Sequence, residues 1–126
     1  MADYTFSNGV TIVNTTPHPI TFQDGDTLIS IDSTPEDIIN ATVSEEAVLD
    51  KGCGVTFVKS KFNGSEEGKA KIERLYNEYG EDAIIIGSIL AAQAYPGQVF
   101  GMTPVPGFER VAPAEKRMRI GKFVTY

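Results

Sequence analysis

The chain holds one histidine, His18, and one cysteine, Cys53, and that scarcity removes most hydrolytic chemistry at once. A centre built from clustered histidines and cysteines lacks the ligands to form. A Cys-His dyad would need His18 and Cys53 brought together from separate turns. The seventeen carboxylates are scattered, without the spacing of an EF-hand loop, so no pattern asks for acid–base work. No Walker or Rossmann glycine pattern is present. These absences predict a protein that is not an enzyme and uses no metal or cofactor.

A lone cysteine forms no intrachain disulfide, which points to a reducing cytoplasm. Cys53 sits between two glycines with no neighbour in sequence to activate it. The longest apolar run, Ala83 to Ala92, is interrupted by Gly87 and Ser88 and is too short to span a bilayer. The first residues, MADYTFSNGV, lack the cationic start and apolar stretch of a signal peptide, again predicting a cytoplasmic protein. Positive charge is also scarce: eleven Lys/Arg against seventeen Asp/Glu give a net charge of −6. That balance argues against DNA and against anionic membranes, so a bound nucleotide would be small and held locally.

The positive charge that exists is segregated. Residues 109–126, ERVAPAEKRMRIGKFVTY, carry five cations against two carboxylates, leaving six against fifteen in the rest of the chain. Three of the five are arginines, Arg110, Arg117 and Arg119, whose planar forks suit phosphate and stack on bases. The tail reads either as an anion-binding wall or as a solvated strand neutralising an acidic body.

The length and an apolar fraction of 41% suit a single domain, 1–126, with a modest core. Val10, Ile12, Ile20 and Phe22 alternate with polar residues around Pro17-His18-Pro19, which predicts two short strands at a proline-fixed corner. A turn at Asp24-Gly25-Asp26 leads to a strand over 27–31. Ser33 to Glu36 reads as a single turn, and the alternation of Ile39, Ala41 and Val43 as a strand after it. Lys51-Gly52-Cys53-Gly54 reads as a hairpin loop leading into 55–62.

A helix is predicted over about 65–79, with Ile72, Leu75, Tyr76 and Tyr79 as its apolar stripe and Gly80 as its stop. The two tyrosines fit core or subunit interface better than ligand contacts. DAIIIG (82–87) reads as a buried strand, and Ser88 caps a second helix over about 88–95 that ends at Pro96-Gly97. Gln98 to Pro106 is extended, with Phe100 and Met102 facing one way, and Ile120, Phe123 and Tyr126 give the last strand its apolar side. The expected fold is α+β: one compact domain, mostly antiparallel strands with two helices.

Candidate ligand contacts follow from residue type. Ser88, where strand passes to helix, offers backbone N–H groups to a phosphate, although a serine cap needs no ligand. Gln93 and Tyr95 share the short helix, and Phe100 beyond it could stack on a base or lie in the core. Arg110, Arg117 and Arg119 are the phosphate-gripping candidates. His18 is either a turn residue bonded to backbone or a ligand contact.

VNTTPHPITF near the start, IIIGSILAAQAYPG and the closing basic stretch together resemble a family of small proteins encoded by phages and prophages. The chain is similar, over Val13 to Phe22 and Ile84 to Gly97, to the first family of Thoeris anti-defence proteins. The resemblance implies a sponge that binds glycocyclic ADP-ribose without cleaving it, so that the defence effector is never activated. It further implies a hexamer with pockets between subunits, and separate sites for cyclic di- or trinucleotides. It implies an aromatic stacked on adenine and arginines on the phosphates, roles for which Phe100, Arg110, Arg117 and Arg119 are candidates by residue type alone. The competing expectation is a structural or accessory phage protein that oligomerises without a nucleotide.

Overall fold

The structure, a computed structural model, describes residues 3–126. In chain order its elements are β1 (Asp3–Thr5), β2 (Thr11–Asn14), β3 (Ile20–Asp24), β4 (Thr27–Ile31), β5 (Thr42–Asp50) and β6 (Thr56–Asn63). There follow α1 (Glu66–Tyr79), β7 (Ile84–Ile86), α2 (Ile89–Ala94), β8 (Gly101–Pro104) and β9 (Met118–Val124). Single 3-10 turns occupy Pro35–Asp37 and Pro113–Glu115. The α+β class and the positions of both helices agree with the sequence.

The strands form three sheets: β1-β2-β7, β4-β3-β9-β8, and the hairpin β5-β6. Most pairings are antiparallel; β2 with β7 and β3 with β9 are parallel. The three-stranded sheet is the middle layer, because alternate residues of its buried strands serve two cores. Val13 and Ile85 join Ile72, Leu75, Ala91, Ala92 and Val99 in a core shared with the helices. Ile12 and Ile86 join Phe22 and Ile31 in a core shared with the four-stranded sheet. Burial on both faces explains the uninterrupted β-branched run of β7.

Local chemistry sets the element ends. Ser65 Oγ accepts a hydrogen bond from Gly68 N at 3.0 Å and starts α1. Gly80, at φ 98°, ends it, its N–H donating to the Tyr76 carbonyl. Ile72 and Leu75 are buried and Tyr76 and Tyr79 half-buried, as the stripe predicts. Lys71 Nζ donates to the Ile38 carbonyl at 2.8 Å, and Arg74 pairs with Asp37 at 2.6 Å, fastening the 3-10 turn to α1.

The alternation after that turn starts a strand later than expected. Ile39 is buried in the helix-side core, its N–H bonded to the Thr15 carbonyl, and β5 begins only at Thr42. Similarly, Ile120 and Phe123 of β9 pack on the second core, whereas Tyr126 lies beyond the strand and is exposed. Phe100 makes one parallel bridge to Ile86 in the middle sheet, and the chain then enters the four-stranded sheet at Gly101. No helix among the described residues is long and apolar enough to cross a membrane.

Candidate functional site: a groove at the proline corner

The corner between β2 and β3 is held from within. Asn14, buried at the end of β2, donates through Nδ2 to the carbonyls of His18 at 2.8 Å and Ile31 at 3.1 Å. Its Oδ1 accepts from Thr16 N at 2.9 Å and from the Thr16 hydroxyl at 2.7 Å. The Thr15 hydroxyl donates to Ile86 O at 2.7 Å, and the Ser33 hydroxyl to Thr16 O at 2.7 Å. A buried polar network this well satisfied costs little and fixes one geometry. The residues of NTTPHP therefore divide: Asn14, Thr15 and Thr16 are buried, and Pro17, His18 and Pro19 are exposed.

Those exposed residues form one wall of an open groove of about 800 Å³. Ser88 contributes from the turn between β7 and α2, and Pro113, Ala114, Lys116 and Met118 from the basic tail. Two segments far apart in sequence, TPHP and the Gly-Ser strand end, thus meet at one surface with the tail across from them. The 3-10 turn at Pro113–Glu115, closed by Lys116 N to Pro113 O, brings Lys116 to the rim. A groove of this volume with apolar walls and few polar groups is typical of a small-molecule site.

The arginines occupy the other side of that turn. Thr21, Ala114 and Lys116 line both the groove and a smaller depression of about 410 Å³ that also includes Phe108, Glu115 and Arg117. The Arg117 guanidinium lies 4.6 Å from the Phe108 ring centroid, and its Nη1 donates to Gln23 Oε1 at 3.4 Å. Arg119, paired in register with Gln23, lines a third depression with Gly25, Val105 and Pro106. By strand alternation Arg119 lies on the face of β9 opposite Met118 and Ile120, which pack on the second core, and Arg117 immediately precedes the strand.

Of the residues expected at a site, His18 and Ser88 are brought together, and Arg117 and Arg119 lie beyond the Ala114–Lys116 ridge. Arg110 is exposed in a turn, Gln93 is exposed on α2, and neither lines these three depressions. Phe100 is half-buried, its backbone bonded to Ile85 and Gly87. Tyr95 is 2% exposed, and its hydroxyl accepts from Ser65 N at 2.8 Å. Ser88 Oγ accepts from Ala91 N at 3.1 Å, so this side chain serves as the cap of a six-residue helix. Such a short helix has little dipole to offer an anion.

Sequence reasoning missed Lys116 and Asn14. Lys116 is one of the tail cations, but residue type points to the planar forks of Arg110, Arg117 and Arg119 instead. Asn14 leads the NTTPHP segment, and an Asn immediately before a Thr-Thr-Pro corner is itself a signal for side-chain capping of a turn. Among the described residues no three His, Cys, Asp or Glu side chains gather to hold a metal ion. Comparison with known protein families, with characterised proteins and with solved structures found no match to this chain.

Proposed function

We propose that the protein is a non-catalytic sponge of the first anti-Thoeris family, sequestering a cyclic ADP-ribose-type nucleotide in the groove at the proline corner. The observation that carries this reading is the convergence of His18, Ser88 and Lys116, from three separate segments, on one open groove. Pro17, Pro19, Pro113 and Met118 give a base or ribose apolar surface to lie on, and Lys116 offers a phosphate a counter-charge. Arg117, over the Phe108 ring in the adjoining depression, is assigned to a second phosphate. A nanomolar Kd corresponds to about −12 kcal/mol, more than an open groove with one lysine supplies. Nanomolar sequestration would therefore call for a homo-oligomer in which a neighbouring subunit closes the groove.

Sequestration needs affinity and abundance, not turnover. The test is to titrate the protein with glycocyclic ADP-ribose by calorimetry, then denature it by heat and recover the small molecule. Stoichiometric recovery of unaltered nucleotide is expected; chemically altered nucleotide at catalytic turnover would overturn the reading. A second reading, an accessory phage protein that only assembles, draws on the exposed apolar hairpin β5-β6. A thermal-shift screen separates them, since a sponge gains several degrees with one cyclic nucleotide by preferential binding to the folded state.

A further inference from the structure

Ten large apolar side chains stand exposed among the described residues, and six of them lie on one hairpin: Val43, Val48, Leu49, Val55, Phe57 and Val58. They are 45–58% exposed, and every residue of β5 is exposed. The hairpin pairs Val43 with Phe62, Ala47 with Val58 and Leu49 with Phe57, the bulge falling at Val48. Apolar side chains therefore project from both of its faces. A two-stranded ribbon in water is marginal unless a further surface covers it. An apolar patch of this extent on a soluble domain marks an interaction surface.

The charges on the arm are divided by strand. β5 carries Glu45, Glu46 and Asp50 and no cation, whereas β6 carries Lys59 and Lys61 and no carboxylate. Within the arm Lys61 and Glu46 approach only to 3.9 Å, with both side chains about two-thirds exposed, a contact worth little alone. The two strands of one arm are thus complementary to the two strands of another.

We infer that the β5-β6 arm is a self-association surface whose occupant is the arm of a second copy, stacked face to face with each acidic strand over the other's basic strand. Edge-to-edge pairing would satisfy strand edges but leave Phe57 in water, whereas stacking on its face, which by alternation and register also carries Leu49, Glu46, Lys59 and Lys61, covers it. Stacking β5 on β5 would oppose carboxylates, and β6 on β6 would oppose lysines. Acidic over basic removes both conflicts and corresponds to a two-fold axis along the arm, which makes a closed, isologous contact. β6 packs on α2, the helix that Ser88 caps. This inference rests on the self-association part of the proposed function and not on the nucleotide.

The test is sedimentation equilibrium of the full chain and of two charge variants, each checked for a cooperative thermal melt. Glu45→Lys with Glu46→Lys makes both strands basic; Lys59→Glu with Lys61→Glu makes both acidic. Each variant alone should self-associate at least roughly tenfold more weakly than the wild type, and an equimolar mixture should regain the wild-type mass. A monomeric wild type would overturn self-association and the arm together. Wild-type mass retained by both variants would overturn the arm alone, and so would a loss of mass that mixing does not restore.

Discussion

The side-chain amide of Asn14 donates to the main-chain carbonyl of His18 at 2.8 Å, so a buried residue holds the exposed wall of the groove in place. Asn14→Ala would leave the carbonyls of His18 and Ile31 and the N–H of Thr16 without this partner. The expected cost is about 2–4 kcal/mol, a fall in Tm of roughly 10 °C by calorimetry. A change within about 1 °C would show that the corner stands without its buried amide.

Tyr95 joins the helices in the same manner, and two glycines make room for its ring. A methyl group on Gly68 would collide with the Tyr95 hydroxyl, and one on Gly64 with the ring itself. Alanine is favoured over glycine inside a helix by about 1 kcal/mol, which alone would make Gly68→Ala stabilising. The collision outweighs that gain, and a net loss of about 1–3 kcal/mol is expected in urea unfolding. A stabilised Gly68→Ala protein would refute the packing described for Tyr95.

These two sites also mark what the sequence discloses. α1 was legible because Ile72, Leu75, Tyr76 and Tyr79 repeat at helical spacing between a serine cap and Gly80, all of it local information. The hairpin was legible from Lys51-Gly52-Cys53-Gly54. That β2 and β3 enter different sheets was not, because parallel pairings such as Val13 with Ile85 join residues far apart in the chain. The exposure of β5 was hidden as well: Val43 and Ala47 alternate as they would in a half-buried strand, and alternation does not say whether anything covers them. Within the site, His18 and Ser88 were legible from their motifs. Lys116 was not, since its place depends on the 3-10 turn at Pro113–Glu115 and its packing against the corner.

Ligand affinity should separate groove residues from the rest. Lys116→Ala is expected to weaken nucleotide binding roughly 10–100-fold, the worth of one charge-assisted contact, with the fold unchanged. Gln93→Ala, which alters an exposed residue outside the groove, should leave affinity unchanged. Calorimetric titration of both decides the matter. Equal affinities for Lys116→Ala and wild type would remove the groove as the site.

Alkaline stability should depend on Tyr79. Burial, and then a hydrogen bond to Asp3, push its hydroxyl from 10.0 to about 12. A folded value above the unfolded one means that the contribution is complete below about pH 10 and is lost as pH rises through about 12. Wild-type urea midpoints should therefore fall across that window, and Tyr79→Phe should fall less steeply. Parallel curves for the two proteins would contradict the assignment.

The most direct measurement is a crystal structure of the protein soaked with glycocyclic ADP-ribose. An intact cyclic nucleotide in the groove, in contact with His18 and with a phosphate on Lys116, is the predicted result. A nucleotide bound elsewhere on the chain, or one hydrolysed in place, would contradict it.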